Sequence, residues 1–133
     1  MALVGIVGLP GSGKTKHLNH GRYDGWEQFD DIGKNWCVNE ATLRRLLRRR
    51  LNIVCTDIIF CIEQIRFDFG KRIDHKIDWV FFENNAQQCE QNCKHRYETE
   101  TTRDLSMELG NIRRLTRDYH PPSNALRVGQ AKT

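Results

Sequence analysis

Gly8-Leu9-Pro10-Gly11-Ser12-Gly13-Lys14-Thr15 is the stretch on which the reading of the whole chain turns. Its glycines stand at 8, 11 and 13, and it ends in a lysine followed by a hydroxyl residue. The spacing is G-x-x-x-x-G-K-[ST] without a mismatch. Leu3-Val4-Gly5-Ile6-Val7 precedes it and is apolar enough for a buried strand. Lys16-His17-Leu18 follows and can open a helix. Strand, glycine loop and helix in that order make an anion cradle. The glycines let the backbone curl with its N–H groups turned inward, and the helix adds the positive end of its dipole. The whole stretch from Gly8 to Thr15 is thus a candidate phosphate cradle. Lys14 would supply a full charge at the β- and γ-phosphates, and the Thr15 hydroxyl would face Mg²⁺. The bland alternative is a glycine-rich turn that holds nothing.

Working outward, the first helix is expected over 13–19, because His20-Gly21-Arg22-Tyr23-Asp24-Gly25 has turn chemistry. Trp26-Glu27-Gln28-Phe29 alternates enough for a second strand, and Asp30-Asp31 closes it. Two acids at the carboxyl end of a strand in an α/β fold face the ligand crevice. One of them is a candidate general base for a substrate hydroxyl. A solvated turn or the start of a helix accounts for them equally well. A third strand is expected over 53–60. Asp57 lies inside that apolar run, where a carboxylate is costly without a partner. Beside a phosphate loop the partner is Mg²⁺, directly or through water. The competing role for Asp57 is to cap a helix that begins at Ile58.

The segment 38–50 has helical periodicity, with Leu43, Leu46, Leu47 and Leu51 on one stripe. Arg44, Arg45, Arg48, Arg49 and Arg50 lie mostly off it. They read as a solvated face rather than a nucleic-acid surface, since no aromatic residue interleaves them. A helix over 60–71, a fourth strand over 77–83 and a helix over 86–96 follow. Cys89 and Cys93 have no second ligand pair, which favours ordinary thiols over a zinc site. The polar, threonine-rich run 94–103 reads as a closing loop whose arginines neutralise charge on a transferred group. A helix over 104–119 stops at His120-Pro121-Pro122. Residues 125–128 suit a short last strand.

A length of 133 residues fits one domain, 1–133, and the balance of 38% hydrophobic to 29% charged residues suits a soluble globular one. No apolar run approaches a membrane span, so no membrane is expected as a partner. Five cysteines without a framework spacing, and no secretory leader, point to a reducing cytoplasm. The net charge of +4 is compatible with phosphate-rich ligands and too mild to single out nucleic acid.

Taken together, the glycine loop, the acid pair after the second strand and Asp57 in the third form a familiar series. An arginine-bearing helix–lid–helix and a Tyr-x-Pro-Pro stop complete it. The arrangement resembles the small P-loop kinases of the polynucleotide-kinase and zeta-toxin-like group. That resemblance implies a P-loop NTPase three-layer α/β sandwich, with a parallel five-stranded sheet of order 2-3-1-4-5 and helices on both faces. It implies ATP and Mg²⁺ as ligands and γ-phosphoryl transfer to a hydroxyl of a nucleotide, a nucleic-acid end or a small molecule. By position, Lys14 and Thr15 match the phosphate and Mg²⁺ residues, and Asp57 matches the Walker B acid. Asp30 or Asp31 matches the acid that activates the acceptor. Arg96 and Arg103 match arginines of a small lid near 94–104, and Pro121 opens the segment that borders adenine. A second reading is a regulatory nucleotide-binding ATPase or switch with no acceptor. No Asn/Thr-Lys-x-Asp stretch supports guanine specificity.

Overall fold

Leu3–Val7 forms β1, and all five of its residues are buried. A strand buried on both faces reads as a continuous apolar run, which is how this one reads. It lies between two parallel neighbours in a computed structural model that describes residues 1–130. On one side β3 (Ile53–Thr56) pairs from Leu3 with Ile53 to Ile6 with Thr56. On the other, β4 (Asp78–Phe81) pairs from Val4 with Asp78 to Val7 with Phe81. The outer strand β2 (Glu27–Phe29) pairs in parallel with β3. The helices are α1 (Lys14–Leu18), α2 (Trp36–Arg48), α3 (Glu63–Ile73), α4 (Ala86–Thr99) and α5 (Leu105–Thr116). The protein is therefore an α/β fold with a parallel sheet in the order β2-β3-β1-β4.

Side chains from the sheet and the helices close a single core. Leu43 of α2, Phe60, Ile112 of α5 and Tyr119 are each almost wholly inaccessible within it. Gly5 sits in β1 because a Cβ there would collide with the Trp79 ring of β4. Trp79 and Phe69 both stack against Phe60, with ring centroids 5.0 and 5.1 Å away. Beyond α5, the Tyr119 hydroxyl donates to the Phe82 carbonyl, and Asn84 Nδ2 donates to the carbonyls of Thr116 and Tyr119. The end of α5 is thus fastened to the end of β4.

The expected five-stranded sheet is not formed among the described residues, where the sheet has four strands. The segment 125–128 contributes one parallel bridge, Leu126 to Phe82. Leu126 N–H donates to the Phe81 carbonyl at 2.8 Å, and Glu83 N–H donates to the Leu126 carbonyl at 2.7 Å. The ladder stops there because Val128 N–H turns to the Glu83 carboxylate and the Gly129 carbonyl accepts from Asn92. Side chains take the hydrogen bonds that a longer edge strand would have shared.

Two boundaries also differ from the expected ones. The third strand ends at Thr56, and Asp57 caps a 3-10 turn over Ile58–Cys61, so α3 begins only at Glu63. The polar run 94–103 is mostly helix: α4 continues to Thr99 and leaves 100–104 as the link to α5. Glu, Lys and Arg are good helix formers, and polarity alone does not end a helix. No helix among the described residues is long and apolar enough to cross a membrane.

Candidate functional site

The loop after β1 folds around its own lysine. Gly11 and Gly13 take φ of 81° and 104°, which favour glycine. Lys14 Nζ donates to the carbonyls of Gly8 at 2.8 Å and Leu9 at 2.9 Å, and lies 3.5 Å from Ser12 Oγ. Burial pulls the amine below its ordinary pKa, against the opposing charge of Asp31. Of the eight motif residues, Pro10 to Thr15 line an open cleft of about 1510 Å³. Gly8 and Leu9 lie beneath it: Leu9 is fully buried, and a Cβ on Gly8 would strike the Ser12 hydroxyl.

The acid pair forms the facing wall. Thr15 Oγ1 donates to Asp30 Oδ2 at 3.1 Å, and Thr56 Oγ1 donates to Asp30 Oδ1 at 2.6 Å. One carboxylate therefore joins the start of α1 to the end of β3. Asp31 differs from it. Its N–H donates to Thr56 Oγ1 at 3.1 Å and its φ is 55°, a left-handed value uncommon outside glycine. Asp31 is exposed on the cleft wall, and its carboxylate accepts no hydrogen bond from the described residues. Partial burial raises its pKa, and the charges of Asp30 and Asp57 raise it further, against Lys14 and Lys34.

Asp57 is also on the cleft wall, with both oxygens engaged by backbone. Oδ1 accepts from Ile59 N–H at 3.0 Å, and Oδ2 accepts from Gly33 N–H at 2.7 Å. The first bond is the helix-cap role; the second holds the loop that carries the acids. Gly33 permits the approach, since a Cβ there would lie 2.6 Å from Asp57 Oδ2. Gly33→Ala is expected to destabilise the fold by about 1–3 kcal/mol through forced displacement of that carboxylate. Urea unfolding checks it: an unchanged midpoint would show that the bracket gives way freely.

Across the loop, α4 presents Cys89, Asn92 and Cys93, all buried. A Cβ on Gly11 would run into the Cys89 carbonyl and lie 2.9 Å from Cys93 Sγ. Asn92 Nδ2 donates to the Gly11 carbonyl at 3.0 Å and to the Gly129 carbonyl at 2.7 Å. Burial pushes Cys89 up to about 12 and Cys61 up to about 11, so both are neutral thiols at ordinary pH. Arg96 and Arg103 meet on Glu108 of α5, at 2.9 and 3.1 Å from Oε2. Both arginines line the cleft.

Pro121 is not among the residues that line the cleft; Leu126, Arg127, Gly129 and Gln130, further along the chain, are. The chain meets the cleft after the Leu126 bridge to Phe82, five residues past Pro121. Thr56, Asn92 and Glu108 are the residues that sequence reasoning missed. Only Thr56 carried a signal, a hydroxyl at the carboxyl end of a strand. Away from the cleft, Arg44 is tied to Glu40 at 3.1 Å, whereas Arg45 and Arg48 are exposed on α2 and Arg49 and Arg50 just past its end.

Fold and site together define an α/β protein with a glycine-loop cleft at the carboxyl end of a parallel sheet, with Asp30, Asp31, Asp57, Arg96 and Arg103 among its lining residues. No protein-family model matches the chain, and no curated protein sequence matches it.

Proposed function

We propose that the protein binds Mg²⁺ and ATP through a P-loop and transfers the γ-phosphoryl group to a hydroxyl of a nucleotide, a nucleic-acid end or a small molecule. The observation that carries this reading is the hydrogen bond from Thr15 to Asp30, one residue past the caged Lys14. A hydroxyl at a helix start, paired with a carboxylate, is a donor set that suits Mg²⁺. This ion takes one or two carboxylates and completes its shell with phosphate and water.

Thr15 and Asp30 would hold Mg²⁺, with Asp57 behind them as the support of the acid loop. The bound ion neutralises charge on the β- and γ-phosphates. Lys14 exchanges the Gly8 and Leu9 carbonyls for phosphate oxygens. Asp31, with an unengaged carboxylate, accepts the proton of the acceptor hydroxyl. Arg96 and Arg103 face the transferred group from the α4–α5 side and stabilise its charge. A single ligand pocket occupies about 300–1,000 Å³. The cleft of about 1510 Å³ exceeds that range and leaves room for an acceptor beside ATP.

Calorimetric titration with ATP and GTP, with and without Mg²⁺, tests the reading. Mg²⁺-dependent binding of ATP is expected. In Lys14→Ala it is expected to weaken by roughly 10- to 100-fold, the worth of a hydrogen bond to a charged group. No binding of either nucleotide by the wild type would end the proposal.

One observation favours the alternative of a regulatory ATPase. Asn92 ties the loop, through the Gly11 carbonyl, to the segment at Gly129, a route by which nucleotide state reaches a partner. Labelled γ-phosphate separates the two readings: a kinase passes label to an acceptor, whereas a switch releases it only as inorganic phosphate.

A further inference from the structure

We infer that Glu108 is a positioning residue that holds Arg96 and Arg103 as one cationic unit over the phosphate loop; the inference rests on the phosphotransferase reading above. Glu108 lies in the first turn of α5 and its side chain is 13% exposed. Both of its oxygens are occupied. Oε1 accepts from Arg103 Nε at 3.2 Å, and Oε2 accepts from Arg103 Nη2 at 3.1 Å, a two-point grip on one guanidinium. Oε2 also accepts from Arg96 Nη2 at 2.9 Å. Two long, flexible cations from different elements are thereby fixed by a single rigid acceptor.

Three features set this knot apart from a plain brace between helices. First, it touches the loop. Cys93 Sγ lies 3.4 Å from Arg96 Nη2 and 3.7 Å from Glu108 Oε2, and it is the same sulfur that crowds the space beside Gly11. Second, Arg96 Nε is buried with no acceptor among the described residues. The guanidinium is therefore directed through Nη2, which reaches Glu108 and Cys93, rather than through a two-point grip of its own. Third, α4 and α5 already have another ion pair, Arg113 with Glu90 at 3.5 Å, away from the cleft.

Glu108 has two opposed effects. It cancels part of the positive charge that a bound nucleotide would meet, and it fixes the direction in which the guanidiniums point. Free arginines would still attract ATP but would not converge on a group in transfer. Loss of Glu108 is therefore expected to lower the rate of transfer and leave ground-state binding intact.

The experiment compares wild type, Glu108→Gln, Glu108→Asp and Glu90→Gln, which removes the remote ion pair. For each, the Mg·ATP Kd is measured by calorimetry, kcat by phosphate release with water as acceptor, and the melting point by calorimetric scan. In Glu108→Gln, kcat is expected to fall roughly 10- to 100-fold while Kd stays within about threefold. Glu108→Asp keeps the charge and is expected to recover part of the rate. Glu90→Gln is expected to match wild type in rate. A Glu108→Gln rate within about twofold of wild type overturns the inference and leaves the phosphotransferase reading standing. So does a loss of rate and affinity in equal measure with a lowered melting point. A wild type that binds Mg·ATP but gives its γ-phosphate neither to water nor to an acceptor overturns it too, because the arginines then meet no transferred group. Failure of the wild type to bind Mg·ATP is the distinct result that removes the phosphotransferase reading itself.

Discussion

Asp31→Asn is expected, on the proposed phosphotransferase reading, to lower phosphoryl transfer by roughly 10²- to 10⁴-fold, the usual worth of a general base, while Mg·ATP binding changes by only a few-fold. The expectation follows from the way the structure separates two adjacent acids. Asp30 has both oxygens committed, one to the Thr15 hydroxyl and one to Thr56. A carboxylate engaged in that way orders its neighbours and has little capacity to take a proton. Asp31 projects into the cleft from a left-handed backbone position that the Thr56 hydroxyl and carbonyl hold in place. Its carboxylate has no competing donor among the described residues. The substitution is nearly isosteric, so loss of rate reports loss of the base rather than of shape.

Asp30→Asn makes the contrast. An amide oxygen replaces one carboxylate oxygen, and the amide nitrogen replaces the other and donates instead of accepting. One of the two threonine hydroxyls must then reverse its role, and the negative charge beside Thr15 is gone. Mg²⁺ dependence of ATP binding is expected to weaken in Asp30→Asn and to persist in Asp31→Asn. Calorimetry at several Mg²⁺ concentrations, together with transfer of labelled phosphate, separates the two. Wild-type transfer in both single variants and in the double variant would remove the acids from the mechanism.

What could be read from the chain depends on how far apart the interacting residues lie. The loop at 8–15 and the stripe of Leu43 and Leu46 are local patterns, and the structure has them as a tight turn and a buried helix face. The Asp57 cap on Ile59 spans two residues and was legible as one of two readings. Its second bond, to Gly33, spans 24 residues and was not. The same holds for Thr56 with Asp30, for Asn92 with Gly11 and for the meeting of two arginines on Glu108. Each is made by packing between distant elements, and none follows a period of two or 3.6. Composition misled in one place. Threonines and charges at 94–103 suggested a loop, yet most of that run is the last turns of α4. The fifth strand failed for a long-range reason as well, since Glu83 and Asn92 captured its backbone groups.

Gly11→Ala is expected to be the most damaging single substitution in the loop, because two independent costs coincide there. The φ of 81° is left-handed, which costs a residue with a Cβ about 1–2 kcal/mol. The new methyl would also meet the Cys89 carbonyl and lie 2.9 Å from Cys93 Sγ, both on a buried helix face that cannot swing away. Overpacking of that kind costs about 1–3 kcal/mol. The combined loss is a large part of the roughly 5–15 kcal/mol that holds a domain together, and a fall in melting point of roughly 10 °C or more is expected. Gly13→Ala separates the two costs. Its φ of 104° is also left-handed, but the nearest atom to a new Cβ is 3.8 Å away, on the Phe82 ring. It is expected to melt several degrees above Gly11→Ala. Calorimetric scans of both variants decide the matter. If Gly11→Ala melts with the wild type, then α4 does not press on the loop. The link from the glycine loop to the arginine pair through Cys93 would lose its basis.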